Sequence, residues 1–413
     1  MAISAYVHIP FCRRRCFYCD FAITVVGAKR RGDTSGTMAQ YVETLLKEIA
    51  VTPVLGSEPL KTVYFGGGTP SLLSVTQVEV ILGAIAHKFG IAPNAEITLE
   101  MDPATFELDH AKGYQAAGVN RVSLGVQAFR DELLAAAGRF HRRQDIFRAV
   151  ELLRQAGIEN FSLDLMSGLP HQTVQDWEEA LSEAIALQPQ HLSIYDLIVE
   201  PQTAFSRYFI PGQAPLPSDS DTAKMYRIAQ ATLTASGYEH YEICNYAKPG
   251  RASQHNLTYW RCESNYGFGM GATSYLNHQR IDRPRTQKSY RAWVEALIQN
   301  GGRTKDPVIE PDEQVVETIM MGLRLPSGIK LKGVHEVYGE KGLREFSKAI
   351  APHLQNGWLI LDAVSSGIES TINPRSTDLK STDCVRLSDP EGFLMSNVVI
   401  TDAFNALDSA STR

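Results

Sequence analysis

The chain has 413 residues, of which 44% are hydrophobic and 21% charged, a composition typical of a soluble globular protein with two or three domains. Its 40 Lys and Arg residues against 46 Asp and Glu residues give a net charge of −6, which excludes a general attraction to nucleic acid or to an anionic membrane. No uncharged apolar run approaches the length of a membrane span, and the first arginines follow the first apolar stretch, the reverse of a secretory signal. We therefore expect a cytosolic protein whose cysteines stay reduced and can bind metal.

The first half of the chain repeats one unit, a short β-rich run followed by an amphipathic helical pattern. Apolar residues at helical spacing predict helices over 39–50, 144–157 and 173–188. Between the helices, β-rich runs predict six strands, at residues 4–9, 62–68, 96–102, 121–127, 160–166 and 191–197. This alternation predicts an α/β fold with a parallel sheet, which right-handed crossovers would curl into an open, partial (β/α)6 TIM-like barrel.

Each predicted strand ends on glycine or on a polar residue. The ends are the loop at Cys12, the run Gly66-Gly67-Gly68-Thr69, and the side chains Glu100, Gln127 and Asp164. Since the C-terminal ends of the strands carry the chemistry in α/β barrels, we expect these residues to share one site. A polar turn after a strand explains any single one of them, but it explains the whole set poorly.

The pattern changes after residue 200. A Pro- and Ser-rich loop precedes a predicted helix at 221–235, and the runs 238–250 and 255–276 are aromatic, glycine-punctuated and strand-like. Helices are predicted again over 312–325 and 342–357, followed by a hairpin and a last helix that suggest a small winged-helix-like unit. A Ser/Thr-rich segment, 365–383, is predicted to be a mobile insertion in that hairpin. We expect three domains, namely a core barrel at 1–210, an α+β region at 211–305 and a C-terminal winged-helix-like domain at 306–413.

Three of the six cysteines lie in one short stretch, YVHIPFCRRRCFYCDF, as Cys12, Cys16 and Cys19. A 4Fe–4S cluster normally takes four thiolates, so three leave one iron with an open position. S-adenosylmethionine (SAM) offers an amine and a carboxylate that can chelate this iron, and an electron from the cluster would then cleave a C–S bond of SAM and form a 5′-deoxyadenosyl radical. The alternative is a zinc site with a fourth ligand from Cys244, Cys262 or Cys384. Those three cysteines are isolated along the chain, so the spacing favours the cluster.

The CxxxCxxC pattern, together with YFGGGTPS after the second strand, resembles the radical SAM superfamily. The resemblance implies a radical SAM type of partial barrel, with the cluster held by Cys12, Cys16 and Cys19. The glycines let the backbone approach the methionyl end of SAM, because no Cβ stands in the way. The residues implied to contact SAM are Tyr6, Tyr18, Gly67, Gly68, Thr69, Glu100, Gln127, Arg139 and Asp164.

Further motifs narrow the resemblance to the branch that holds oxygen-independent coproporphyrinogen III oxidase and the heme chaperones. These motifs are YVHIPFC, GGGTPS, LEMDP, GRFH, LDLMSGLP and RLSDPEGFLMSN. The oxidases carry a further cysteine two positions after the third, where this chain has Phe21, and they have an N-terminal arm before the first strand, for which residue 4 leaves no room. The segment HNLTYW resembles the HNxxYW heme motif of the chaperones. Both departures and this motif favour a heme chaperone that delivers heme to an acceptor protein.

In the HNLTYW segment, His255 is the implied heme ligand, and Tyr259 and Trp260 could stack on a flat porphyrin. The chemical alternative is a histidine packed in the core or in a strand. The first alternative function is the anaerobic coproporphyrinogen oxidase, and the second is a radical SAM enzyme that modifies RNA. Two basic runs, Arg13-Arg14-Arg15 and Lys29-Arg30-Arg31, would serve a porphyrin propionate or an RNA phosphate, but we interpret them as solvated loops. We expect no nucleic-acid partner and no membrane span.

Overall fold

The structure, a computed structural model, describes residues 2–28, 30–362 and 379–411. Most of the predicted insertion at 365–383, and Lys29 of the second basic run, lie outside the described residues. The strands are β1 (Ser4–Ile9), β2 (Phe11–Cys12), β3 (Thr24–Val25), β4 (Leu60–Gly67), β5 (Ile91–Met101), β6 (Arg121–Gln127), β7 (Phe161–Ser167), β8 (His191–Asp196), β9 (Glu239–Glu242), β10 (Asn245–Ala247), β11 (Asn265–Phe268), β12 (Thr273–Leu276), β13 (Gln279–Asp282), β14 (Ile329–Lys330), β15 (Leu359–Asp362) and β16 (Cys384–Leu387).

The helices include those predicted in the first half of the chain and add several between them. They are α1 (Gly36–Val51), α2 (Val75–Phe89), α3 (Leu108–Ala116), α4 (Asp131–Ala136), α5 (Arg143–Gln155), α6 (Val174–Ala186), α7 (Asp219–Ala235), α8 (Gln254–Trp260), α9 (Gln287–Gln299), α10 (Pro311–Gly322), α11 (Lys332–Gln355), α12 (Glu391–Leu394) and α13 (Ser396–Ser411). None of the helices in the described part of the chain combines the length and apolarity that a bilayer crossing demands.

The chain forms two compact units. The first comprises residues 1–239, 246–255 and 264–308, and the second comprises residues 240–245, 256–263 and 309–413. The three-domain division expected from the sequence stays a prediction.

The first unit is built on an open sheet whose central strands are parallel. Its neighbouring strands follow the order β13-β12-β11-β1-β4-β5-β6-β7-β8-β10. Every neighbouring pair from β1 to β8 is parallel, which confirms the predicted α/β fold and its six strands. On the other side of β1, β11 adds a further parallel strand, and β12 and β13 follow it antiparallel.

Alternate residues of the parallel strands build one apolar face and one polar face, because successive side chains of a strand point to opposite sides. Val7, Val63 and Leu99 represent the apolar face, and all three are fully buried. The register aligns Tyr6 with Tyr64 on the polar face. Since the polar face continues to the C-terminal ends of the strands, it brings the residues predicted for the site together.

A buried carboxylate joins helix α1 to the added strands of the first unit. Glu48 pairs with the Nε atom of Arg283 at 2.8 Å and accepts hydrogen bonds from the amide of Gly269 at 2.9 Å and the hydroxyl of Tyr290 at 2.5 Å. Such a pair needs several partners, because its desolvation cost is large. The network therefore holds the segment that contains strands β11, β12 and β13 against helix α1, beside strand β1.

The segment HNLTYW is a correction to the sequence analysis. It was expected to be strand-like, but it forms helix α8. The carboxylate of Glu96 on β5 accepts hydrogen bonds from the backbone amides of Gln254 and His255, at 3.2 and 3.1 Å. This carboxylate caps the start of the helix, and the local sequence holds no sign of it because Glu96 lies far away along the chain.

The second unit carries a three-stranded antiparallel sheet in the order β14-β16-β15. Helices α10, α11 and α13 accompany this sheet, as expected for a winged-helix-like unit. Gly339, with φ 63°, breaks α11 into two helical segments. His353 on α11 contacts Asp402 on α13 through Nε2 at 2.9 Å, which ties these two helices together.

Candidate functional site

A cavity of about 340 Å³ opens at the C-terminal ends of the parallel strands in the first unit. Eleven of the predicted site residues line it. These are Cys12, Cys16, Tyr18, Cys19, Gly67, Gly68, Thr69, Glu100, Gln127, Arg139 and Asp164. Two predicted residues, Tyr6 and His255, are not among the lining residues.

The cysteine loop forms one wall of this cavity. It leaves strand β2 at Cys12 and is held by backbone contacts, including the amide of Phe17 with the carbonyl of Ala137 at 3.1 Å and the amide of Cys19 with the carbonyl of Cys16 at 3.3 Å. The hydroxyl of Thr69 lies 3.6 Å from the Sγ atom of Cys12. The loop therefore faces the glycine-rich turn across a short gap.

The thiols of Cys12 and Cys19 lie in an environment that disfavours bare thiolates. Burial raises the pKa of the Cys12 thiol to about 12 and also raises the pKa of Cys19. Metal ions reverse this preference, since a coordinating thiol is deprotonated outright. Among the described residues, no group of three or more His, Cys, Asp or Glu side chains is arranged to hold a metal ion. A 4Fe–4S cluster takes one thiolate per iron, so its ligands surround the cluster instead of converging on one ion.

Arg139 links the cysteine loop to the strand ends. Its guanidinium donates to the carboxylate of Asp102 at 2.8 Å and to the carbonyl of Gly125 at 2.7 Å, and it lies 3.5 Å from the Sγ atom of Cys16. Burial alone would raise the pKa of Asp102, but Arg139 and His141 hold it well below its usual range. Asp102 is therefore a carboxylate that fixes Arg139 beside the cysteines.

The glycine-rich turn leaves no room for side chains at two positions. A Cβ atom on Gly67, where φ is 109°, would lie 2.4 Å from the ring of His8. A Cβ atom on Gly68 would lie within 3 Å of the backbone of Ile9 and Phe11. Glycine is required at both positions because a side chain would collide with His8 or with the backbone of β1 and β2, and the role of these glycines as a ligand cradle stays a prediction.

Glu100 lies at the end of β5, below the glycine turn. Its Oε1 atom accepts a hydrogen bond from the hydroxyl of Tyr64 at 2.9 Å, and its Oε2 atom accepts one from the amide of Gly67 at 3.0 Å. Burial raises the pKa of Glu100 to about 7, and the charge of Asp164 acts in the same direction. The carboxyl is thus poised to titrate near neutral pH.

Gln127 and Asp164 complete the far wall. Gln127 ends β6 with φ 66°, a left-handed conformation that costs a residue with a side chain on the order of 1–2 kcal/mol. The hydroxyl of Ser123 donates to the carboxyl of Asp164, lying 2.9 and 3.0 Å from its two oxygens, and burial raises the pKa of Asp164. Such backbone strain at a strand end is common at ligand sites.

Tyr6 and His255 lie on the polar face beneath the cavity. The hydroxyl of Tyr6 is 3.1 Å from the Nδ1 atom of His8. The imidazole of His255 is 1% exposed, and its Nδ1 atom is 2.7 Å from the hydroxyl of Thr62. Burial lowers the pKa of His255 to about 3, so this imidazole is neutral.

Known proteins resemble this chain in sequence and in fold. A model of the radical SAM superfamily matches residues 6–184, and a model of the HemN C-terminal domain matches residues 309–365. A protein of Synechocystis sp. named "Heme chaperone HemW" is 43% identical, over 99% of this chain and 98% of its own length. The chain belongs to the HemW family. A second HemW, of Bacillus subtilis, is 38% identical, over 81% of this chain and 87% of its own length.

The solved structure of coproporphyrinogen III oxidase (HemN) from Escherichia coli has the same fold as this HemW-family chain. The TM-score is 0.79 at 22% identity, and the match covers 97% of this chain and 90% of that one. At this identity the likeness speaks for the fold alone. The fold and the HemW family implied by the sequence motifs are thereby confirmed.

Sequence reasoning missed two residues that shape the site of this HemW-family chain. Asp102 orients Arg139, and Tyr64 donates to Glu100. Asp102 directly follows the last residue of β5 and lines the same cavity as Glu100, so its place in the motif LEMDP, at a strand end, held a signal for it. Tyr64 carries no such signal, because its role depends on a neighbouring strand.

Proposed function

We propose that this chain is a heme chaperone that binds heme and passes it to an acceptor protein, and that it carries a 4Fe–4S cluster and SAM. The observation that supports this proposal most strongly is similarity along the whole chain to proteins named heme chaperone HemW. The cavity adds support, because it collects the cysteine loop, the glycine turn and charged side chains that include Glu100, Arg139 and Asp164.

The cluster ligands in this proposal are Cys12, Cys16 and Cys19. The three thiols line one cavity, and no fourth cysteine is among its lining residues. When bound, the cluster supplies an electron to the sulfonium of SAM. The chain itself contributes Arg139, whose cation beside Cys16 would offset the negative charge of the thiolates.

SAM would occupy the remainder of the cavity. Gly67, Gly68 and Thr69 would hold its methionyl end, and the Glu100 carboxylate would accept hydrogen bonds from its ribose hydroxyls. Gln127, Asp164 and Tyr18 would complete the pocket. Tyr6 is not among the residues that line the cavity, so it would support the pocket from beneath, through its ring contact with Tyr64.

His255 is the proposed iron ligand of the bound heme. In the described conformation its imidazole is packed against the sheet, so coordination requires the ring to leave that position. We expect added heme to give a Soret band that shifts when the imidazole coordinates, and we expect His255→Ala to abolish or alter that shift.

Visible and electron paramagnetic resonance spectra of the ferric heme complex test this prediction and separate an imidazole from a thiolate ligand. His278 is a matched control, because it lies in a turn after β12 and leaves the cavity untouched. If His255→Ala leaves both heme affinity and spectrum unchanged, the histidine is a packed residue and another group binds the iron.

The reconstituted, reduced protein is expected to have no coproporphyrinogen oxidase activity. Phe21 takes the place of the cysteine that the oxidases carry, and its side chain is 56% exposed at the cavity. The measurement is chromatography of the porphyrin products after anaerobic incubation with SAM and coproporphyrinogen III. Formation of protoporphyrinogen IX would replace the chaperone proposal with the oxidase.

A further inference from the structure

Three aromatic rings lie in a stack beneath the cavity, on the polar face of the sheet. The ring of His255 lies 5.0 Å from that of Tyr64 with 20° between their planes, and 6.4 Å from that of Tyr6 with 27°. Tyr6 and Tyr64 are themselves stacked at 6.1 Å. The bond from Thr62 to the Nδ1 atom fixes the orientation of the imidazole in this stack.

The stack continues directly into the candidate SAM pocket. The hydroxyl of Tyr64 donates to Glu100, which also accepts the amide of Gly67. The side chain of Tyr64 therefore has the His255 ring on its face and the Glu100 carboxylate at its tip. A change in the χ1 angle of Tyr64 would swing the hydroxyl away from Glu100 and break this bond.

Strand β5 connects the same two places along the backbone. Glu96 caps helix α8 through the amides of Gln254 and His255, and Glu100 follows four residues later on the same strand. The strand thus carries the cap of the helix at one point and the cavity carboxylate at another. His255 is held in the stack from both its backbone and its ring.

We propose that His255 is a positioning residue for the SAM pocket, acting through Tyr64 to hold the Glu100 carboxylate toward the ribose. This inference rests on the proposed binding of SAM and is separate from the proposed binding of heme. Removal of the imidazole leaves one face of Tyr64 without its packing partner. Tyr64 then rotates, and the carboxylate loses one of its two hydrogen-bond donors.

The test measures SAM affinity of the anaerobically reconstituted, heme-free protein by equilibrium dialysis. Tyr64→Phe keeps the ring and removes only the hydroxyl, and it should weaken SAM binding about tenfold, the effect of losing a hydrogen bond to a charged group. His255→Ala should weaken it by a similar factor, about tenfold. His255→Phe, which keeps an aromatic ring on Tyr64, should recover most of that loss.

Tyr238→Phe is the matched control. It removes the same hydroxyl group from a buried tyrosine whose partner is the carbonyl of Pro189 at 2.8 Å, away from the cavity. Its SAM affinity should stay within about twofold of the parent, since no SAM contact changes. A general loss of stability would affect this variant as well.

The pH profile of SAM binding separates positioning from a general structural effect. The groups that face Glu100 are the hydroxyl of Tyr64 and the amide of Gly67 from β4, and the carboxyl of Asp164 from β7. The Tyr64 hydrogen bond lowers the pKa of Glu100, so its loss should move the midpoint of SAM binding to higher pH in both Tyr64→Phe and His255→Ala. The midpoint of Tyr238→Phe should not move.

Two results would overturn the inference. One is that His255→Ala binds SAM as tightly as the parent, and the other is that His255→Phe binds it no better than His255→Ala. Failure of the proposed function is a different outcome, because the parent protein itself would then bind no SAM.

Discussion

Replacement of Cys12, Cys16 or Cys19 by Ala is expected to abolish the iron–sulfur cluster completely. The parent protein should be brown, sensitive to oxygen and loaded with about four irons per chain after anaerobic reconstitution. Each single replacement removes the only thiolate available to one iron, because no other cysteine is among the residues that line the cavity. Iron and sulfide analysis, with the visible spectrum, measures the loss.

The other three cysteines supply matched controls for this prediction. Cys244→Ala, Cys262→Ala and Cys384→Ala should each keep the full iron content, since none of these residues lines the cavity. Cys384 lies on β16 of the second unit, and its thiol contacts the carbonyl of Ser327 at 3.2 Å. Stoichiometric zinc without iron after reconstitution would revive the zinc alternative and refute the cluster.

The second large effect concerns Glu100. Glu100→Gln is expected to weaken SAM binding about 100-fold, because an amide replaces a charged acceptor of two hydrogen bonds, each worth about 1.5–3 kcal/mol. The measurement is equilibrium dialysis of the reconstituted protein. Glu43→Gln is a suitable control, since Glu43 is an exposed residue of α1.

The pH dependence of SAM binding follows from the same carboxyl. Since burial raises the pKa of Glu100 to about 7, the group is protonated below that pH and accepts ribose hydroxyls poorly. SAM affinity should therefore rise as the pH rises through 7, and Glu100→Gln should remove this dependence. An affinity of the parent that is constant between pH 6 and 8 would contradict the role given to Glu100.

The sign of the linked stability effect is opposite. A carboxyl whose pKa is raised from 4.5 to about 7 on folding binds more protons in the folded state across that interval. Glu100 therefore reduces the free energy of unfolding as the pH rises from 4.5 to 7 in the SAM-free protein. Bound SAM would offset this cost, because its hydroxyls solvate the carboxylate.

Local patterns of the sequence predict the central strands and several of the helices of the first unit. The six central strands could be predicted because each is a β-rich run of residues, and their polar ends pointed to one site because parallel strands end on the same side. The cysteine loop and the glycine turn could be joined in advance for the same reason. In the structure both segments line the same cavity at the ends of the parallel strands.

The parts that escaped prediction depend on contacts between distant residues. The aromatic, glycine-punctuated pattern predicts a strand at residues 255–260, which instead form helix α8, because its start is capped by Glu96 and no local pattern links that residue to it. Strand β11 pairs with β1, so that Tyr6 lies opposite Gly267 across a very long stretch of chain. Tyr64 acts on the site through Glu100 of the neighbouring strand, and a pairing of this kind cannot be read from spacing alone.

Heme binding by the intact chain tests the central proposal most directly. The anaerobically reconstituted protein is mixed with heme and passed through a gel-filtration column, and the heme that elutes with the protein is quantified. The proposal predicts a Soret band that co-elutes with the protein at roughly one heme per chain, the stoichiometry of a single ligated iron. Heme that separates entirely from a protein with its cluster and SAM bound would contradict the assignment as a heme chaperone.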